Sequence, residues 1–371
     1  MKPAYIRKSP GTSMNARRAC MLIFAAFQLA FGRIAVAATQ PSIPNPPELQ
    51  RRLDELVHAS QPGVLGITVV DLQSGHAWRA NADRAFPMMS VFKAPVAAAV
   101  LAGIEQGQWS FDQSVIVRRD ELESGTIRDH FKGERMSFTV RQLLTDAVSH
   151  SDNTAVDTLL RVIGGPQVVT TFLRAHGIEG MRVDLGERGF RPVFEDLQPG
   201  QSPPARETDA QQLARLRRGY HAYLADPRNR STPDAAADFL HKLWNKELLS
   251  PASTAYLLDL MYAQTTPSRL RLGLPPGVRL ADKCGTSYTL ENTTAAYNDI
   301  GILSWPDGHA VIVAAFLTGS TAPKDQRDAL FADLAHTVAV TLHPRDAAAI
   351  APNAPIRRSP GTSAGPGGSG R

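Results

Sequence analysis

The sequence predicts an α+β fold: an antiparallel sheet built from both chain ends with flanking helices, and an all-helical subdomain inserted between them. Three observations carry this expectation. β-Branched segments stand near the start of the folded region and again near its end, helical periodicities fill the interval, and a last helical segment closes the region near residue 343. The 371 residues are 43% hydrophobic and 20% charged, which excludes a chain disordered throughout and leaves enough apolar surface for a large core.

Gly63–Asp71 (GVLGITVVD) is compact and β-branched, and Gln73-Ser74-Gly75 turns the chain toward His76–Ala80, so a hairpin is expected. From Val91 to Ile104 the sequence is rich in Ala, Val and Leu at helical spacing, the pattern of a buried helix. Thr139–Ser149 is amphipathic, and Thr154–Ile163 and Gln167–His176 read as two further helices. Ser231-Thr232-Pro233 caps a helix to about Lys246, and Pro251 opens another ending near Tyr262. Strands at Tyr297–Trp305 and Ala310–Thr318 meet at Pro306-Asp307-Gly308, and Asp325–His343 closes the region. Between Met181 and Ser231 periodicity is weak apart from Asp209–Leu224, and a segment this long inside a domain is expected to serve function or to be partly mobile.

The net charge of +5 points at face value to a polyanionic partner, but its placement removes that hint. Residues 1–38 carry six Lys or Arg and no acid; from residue 345 onward the balance is +3; residues 39–344 are therefore −4. The first segment reads as a secretory leader: a basic stretch ending in Arg17-Arg18, an apolar run from Cys20 to Phe31 too short to span a bilayer, and Ala35-Val36-Ala37 as a cleavage site. Arg18-Ala19 before Cys20 is a poor lipidation context. Residues 1–37 are thus expected to be a signal peptide, 45–343 the folded domain and 347–371 a disordered tail rich in Ala, Pro, Gly and Ser. Cleavage after Ala37 leaves Cys284 alone, with no disulfide to form, in a protein exported to the periplasm or beyond. No nucleic acid, no stable membrane insertion, no cofactor and a monomeric state are expected.

The ten histidines form no HExxH and no His-x-His, and one cysteine cannot build a thiolate zinc site, so no metal is expected. No GxSxG elbow and no phosphate-binding GxxxxGK[ST] is present. What remains is Ser90-Val-Phe-Lys93 where the hairpin gives way to the buried helix. A serine hydroxyl needs a base to become a nucleophile, and three residues' spacing puts Ser90 and Lys93 on one helix face. A lysine buried at a helix start is discharged more easily, and the same helix start offers free N–H groups to a developing oxyanion. A lone Ser-x-x-Lys arises by chance in chains of this composition. Two further elements follow it in order: Ser151-Asp152-Asn153, and Lys283-Cys284-Gly285-Thr286 in a strand-like stretch.

With this ordered set the chain resembles a class A β-lactamase over most of residues 45–343. The likeness extends to Phe86-Pro-Met-Met-Ser90, Ser151-Asp-Asn-Thr-Ala155, Ile163-Gly-Gly-Pro166, Leu248-Leu-Ser250, Gly273-Leu-Pro275 and Asn298-Asp-Ile-Gly301. The resemblance implies hydrolysis of a small-molecule β-lactam through an acyl-enzyme, with a role for each matching residue. Ser90 is the implied nucleophile, Lys93 helps to remove its proton, and Ser151 relays a proton to the departing nitrogen. Asn153 contacts the substrate amide and steadies Lys93. Lys283, the Thr286 hydroxyl and Arg271 attract the substrate carboxylate, and the N–H groups of Ser90 and Thr286 form the oxyanion hole. Asp152 is expected to bond the backbone around its loop, and an ion pair is the competing expectation for Arg271.

The same family releases its acyl group with water activated by a loop glutamate. Glu187, Glu195 and Glu207 compete for that part; Glu187, 34 residues after Asn153, is chosen, with Glu207 second. The family's usual arginine two residues earlier is Leu185 here, and the usual Leu-Asn pair after the glutamate is replaced by Arg-Gly-Phe-Arg191, so support for the water and the loop salt bridge is expected to weaken. The following Gln198–Arg230 stretch is longer than usual, either a surface insertion or a rim shaping substrate access. Cys284 stands where Ser or Thr is usual; a thiol is a weaker donor, so looser carboxylate binding, relieved by Cys284→Thr, is expected, against a small residue simply tolerated in a strand. A penicillin-binding DD-peptidase-like enzyme and a non-turnover lactam sensor are the alternative readings.

Overall fold

The five strands of the central sheet come from the two ends of the domain: β1 (Val64–Asp71), β2 (Ala77–Ala80), β3 (Arg279–Thr286), β4 (Tyr297–Ser304) and β5 (Ala310–Thr318). They lie in the order β2-β1-β5-β4-β3, every neighbouring pair antiparallel. The first strand therefore pairs directly with the last, Val69 opposite Val313. The computed structural model describes residues 46–266 and 269–344; the expected signal peptide and tail lie outside the described residues.

Period-2 alternation on these strands feeds two cores. On β5, Val311, Val313, Ala315 and Leu317 face one way and Ile312, Ala314 and Phe316 the other, and all are buried. Helices cover both faces. Those of two turns or more are, in chain order, α1 (Pro46–Ala59), α2 (Lys93–Glu105), α3 (Val140–Val148), α4 (Asn153–Ile163), α5 (Pro166–Ala175), α6 (Glu187–Glu195), α7 (Asp209–Ala225), α8 (Pro233–Trp244), α9 (Pro251–Tyr262) and α10 (Lys324–Leu342). The first and last pack on one face; α2 runs through the middle of the other core, its Val96, Ala97, Val100 and Leu101 fully buried. Among the described residues no helix is long and apolar enough to cross a membrane.

Helix starts follow the side chains that can accept the free N–H groups of a first turn. Thr139 caps α3 and pairs reciprocally with Gln142, Thr208 does the same for α7 with Gln211, and Thr232 and Ser250 cap α8 and α9, each followed by proline. The expected hairpin, the buried helix and the closing strands are all present. Three elements extend the expectation. Helix α1 buries Leu49, Leu53 and Leu56; a small hairpin joins Ser114–Arg118 to Arg135–Thr139; and α6 adds a helix to the 181–231 interval, where α7 matches the expected periodic stretch Asp209–Leu224. Helix α6 is hard to read from sequence because Gly189 and Pro192, both poor helix formers, lie within its nine residues.

Candidate active site

Ser90 lies in a 3₁₀ turn, Met89–Phe92, that leads into α2. The turn is forced into shape from outside. Met89 has φ +47°, a left-handed conformation costly for a side chain with a Cβ. The Asn298 amide on β4 donates to the carbonyls of Pro87 (2.7 Å) and Met88 (3.1 Å), Met88 N–H donates to Asn229 O, and the Tyr223 hydroxyl of α7 donates to Met89 Sδ at 2.7 Å. Strand β3 closes on the turn at Gly285, where a Cβ would stand 2.4 Å from Met88 O and 3.2 Å from Ser90 N. Only glycine permits that approach.

Lys93 is fully buried. Its Nζ donates to Ser151 O (2.6 Å), Asn153 Oδ1 (2.5 Å) and, more weakly, Ser151 Oγ (3.4 Å), and it stands 3.4 Å from Glu187 Oε1. Burial pulls its pKa down to about 8, with Lys283 adding to the fall and Glu187 opposing it. Among the described residues nothing hydrogen-bonds the Ser90 hydroxyl; the lysine is turned toward Ser151, Asn153 and Glu187. Lys283, also fully buried, donates to the same Ser151 Oγ at 3.1 Å. One hydroxyl thus sits between two ammonium groups. Ser151 itself is held at φ +57°. Asp152 is fully buried and bonds backbone, its oxygens accepting Ala155 N–H and Ile127 N–H, as expected of a loop-fastening residue.

Glu187 is the first residue of α6 and is partly buried. Its helix has no side-chain cap of its own, because Gly186 precedes it. Asp157 on α4 supplies one instead: its two oxygens accept the N–H groups of Glu187 (2.7 Å) and Arg188 (2.8 Å), and burial pushes its pKa up to about 6. In front of α6, Asn229 clasps the chain by accepting from Asp184 N–H and Leu185 N–H and donating to Leu185 O. These contacts tie the loop together where Leu185 replaces an arginine. Of the competing glutamates, Glu207 is paired with Arg215 at the start of α7, and Glu195, at the far end of α6, borders the same cavity, whereas Glu187 is the one that stands beside Lys93.

One expectation is corrected on the carboxylate side. Arg271 does not reach the site; its guanidinium donates to Leu280 O and, at 2.5 Å, to Asp282 Oδ1. Asp282 alternates with Lys283 on β3 and so points to the other face, where a buried carboxylate needs a countercharge. The guanidinium that does approach belongs to Arg269. It is buried, held at φ +62°, stacked 3.9 Å over the Tyr297 ring, and donates to the Thr286 hydroxyl. Arg269-Leu-Arg271 offers two candidates in one short turn, and nothing in the sequence distinguishes them. Cys284 is buried, its sulfur accepting from Gln264 Nε2 at 3.0 Å. Burial raises the thiol pKa, but Lys283 and Arg269 outweigh it and the net direction is down.

These groups adjoin a cavity of about 540 Å³. Ser90, Asn153, Glu187 and Thr286 border it; Lys93 reaches the border through Asn153. The opposite wall is the long segment after Glu187: Phe190 and Phe194 of α6, Leu216 and Tyr220 of α7. The segment is therefore part of the cavity rather than a surface addition.

The chain matches the family model described as the Beta-lactamase enzyme family over residues 48–342. It is 32% identical to the extended-spectrum beta-lactamase PER-1 of Pseudomonas aeruginosa, over 83% of this chain and 91% of that one. It is 31% identical to a beta-lactamase of Streptomyces albus G, over 80% and 85% of the two chains. Among solved structures, a beta-lactamase from Chitinophaga pinensis is 27% identical with a TM-score of 0.67, covering 78% of this chain and 98% of that one. The class A beta-lactamase of the last common ancestor of Gram-negative bacteria is 34% identical with a TM-score of 0.64, over 80% and 99%.

Proposed function

The chain belongs to the class A serine β-lactamases, and from that premise we propose that it opens β-lactams by forming an acyl-enzyme on Ser90 and releases the product with water activated by Glu187. One observation carries the proposal: the carboxylate of Glu187, the ammonium groups of Lys93 and Lys283, and the hydroxyl of Ser151 form one connected cluster beside the cavity that Ser90 borders.

The steps follow from chemistry. Ser90 Oγ attacks the lactam carbonyl carbon while its proton leaves toward Lys93 or, through water, Glu187. A lysine whose pKa is brought to about 8 exchanges a proton near neutral pH far more readily than an exposed one. The N–H groups of Ser90 and Thr286 stabilise the oxyanion, beside the strand edge that Gly285 brings close. As the C–N bond breaks, Ser151 passes a proton to the nitrogen, replenished from an adjacent ammonium. Lys283, Thr286 and Arg269 form the cationic end for the lactam carboxylate; Arg271 is withdrawn from that part. Glu187 then takes a proton from water as it attacks the ester carbonyl, the C–O bond to Ser90 breaks, and the proton passes from Glu187 to Ser90 Oγ, restoring both groups. The export signal in residues 1–37 is proposed to direct this activity outside the cytoplasm, with the enzyme acting as a monomer.

Glu187→Gln tests the assignment. Wild type should turn over a chromogenic cephalosporin continuously, whereas the variant should release about one equivalent and stop, with the acyl adduct on Ser90 visible by intact-mass spectrometry. Undiminished turnover by Glu187→Gln overturns the role of Glu187. A burst that stops in wild type itself overturns the turnover reading in favour of a lactam sensor.

A further inference from the structure

Met89 stands between the nucleophile and the helix α7 that the long segment after Glu187 adds. It directly precedes Ser90 and keeps a left-handed backbone, φ +47°, which persists only where the surroundings hold it. The peptide joining the two residues is planar, so the direction of the Ser90 N–H follows from the Met89 dihedral angles. The contacts from Asn298 and Asn229 end on Pro87 and Met88. Two others reach Met89 itself. The backbone of β3 comes so close that a Cβ on Gly285 would lie 3.2 Å from Met89 Cβ. From α7, 134 residues further along the chain, the Tyr223 hydroxyl donates to Met89 Sδ at 2.7 Å. Tyr223 is 3% exposed, and its ring is fixed by Phe194 at 4.0 Å and by Phe190 edge-on at 5.9 Å. Burial pushes the phenol pKa up, which keeps it a donor at neutral pH.

We propose that Tyr223 is a positioning residue for the reaction at Ser90: through the Met89 sulfur, α7 fixes the peptide whose N–H supplies one half of the oxyanion hole. This role rests on the reading of Ser90 as the acylated nucleophile. Oxyanion stabilisation is geometric, since the donors must already point at the place where the charge develops. A thioether is a weak acceptor, so the bond contributes direction more than strength. It restrains a side chain whose own backbone is in a costly conformation, one residue from the donor that matters. Removing the O–H frees the Met89 dihedral angles and lets the Ser90 N–H turn from its target. The nucleophile, Lys93 and Glu187 are left where they are, because Tyr223 touches none of them.

Tyr223→Phe keeps the ring and removes only the O–H. Its kcat/KM for a chromogenic cephalosporin, which reports acylation, should fall about three- to tenfold, the loss of one positioning hydrogen bond. Affinity for an arylboronic acid, whose tetrahedral adduct on Ser90 sets an oxygen where the oxyanion forms, should fall by the same factor. The boronate reads the oxyanion hole in the folded enzyme, so a role confined to stability leaves it unmoved. Met89→Leu removes the acceptor and should reproduce both losses, and the double variant should lose no more than either single one. Unchanged kinetics in Tyr223→Phe, a fall in kcat/KM without a fall in boronate affinity, or additive losses in the double variant would each overturn the role. Turnover by wild type with an indifferent Tyr223→Phe leaves the lactamase reading standing and removes this one alone. Neither turnover nor a boronate adduct on Ser90 in wild type removes both.

Discussion

At the scale of single residues, the site turns on which of two neighbouring arginines does which task. Arg271 neutralises Asp282, whose side chain is almost wholly buried, while Arg269 lies over Tyr297 and donates to Thr286. Arg271→Ala leaves Asp282 without its partner and is expected to cost about 1–3 kcal/mol of stability with KM for a penicillin unchanged. Arg269→Gln removes a cation beside Thr286 and should raise that KM several-fold. Thermal unfolding and steady-state kinetics on both variants decide the matter; a raised KM with intact stability in Arg271→Ala would return the substrate-contact role to it. Side-chain chemistry made Ser90, Lys93, Ser151, Asn153 and Lys283 legible as a set, because only ordered motifs at fixed positions bring a nucleophile, cations and relay groups together. Arginine gives no such signal. Its long side chain reaches in several directions, and only the strand alternation that sends Asp282 away from Lys283 assigns each guanidinium a target.

At the scale of elements, the placement of Glu187 depends on two helices, of which only α7 was legible, as the periodic stretch Asp209–Leu224. Helix α6 contains Gly189 and Pro192, and the buried face of α7 consists of Arg215, Gly219, Tyr220 and Tyr223 rather than aliphatic residues. Caps were readable where Thr, Ser or Asp sits at the helix's own start. The cap of α6 was not, because Asp157 supplies it from 30 residues upstream. The close packing of the two helices rests on Gly219, where a Cβ would stand 2.2 Å from Phe194 O and 2.8 Å from Asp196 N. Gly219→Ala must therefore push α7 off α6, and backbone cannot yield as a side-chain tip would. A loss of about 1–3 kcal/mol is expected, in the range of overpacked cores. Because α6 begins with Glu187 and α7 holds Met89 through Tyr223, deacylation should slow as well, lengthening the lifetime of the acyl-enzyme seen by mass spectrometry. Full deacylation rate together with unchanged stability would show that the two helices are not coupled at this contact.

At the scale of the molecule, the sheet is a clasp between distant parts of the chain. The α+β order was legible because β-branched strands at both ends must bury two faces and can only do so against each other and the helices between. Which strands pair was not, since alternation fixes a face and not a neighbour. Strand β1 pairs with β5, and the clasp is reinforced at its end by Asp71, whose carboxylate accepts from Gln73 N–H (3.1 Å) and Ser74 Oγ (2.6 Å) and stands 2.9 Å from His309 Nε2. Burial alone would raise the Asp71 pKa; the contacts with His309, Ser74 and Gln73 outweigh it and bring it down to about 2 from 3.8. A carboxylate depressed on folding contributes stability above its unfolded value and loses it as pH falls through its folded value. This contribution is therefore present above about pH 4 and fades toward pH 2. Asp71→Asn should be less stable than wild type at pH 7, and the gap should shrink as pH falls from 4 to 2. Urea unfolding of both proteins at pH 7, 4, 3 and 2 measures that gap directly, and a gap independent of pH would mean that Asp71 holds the two ends together by shape and neutral hydrogen bonds, with its charge playing no part.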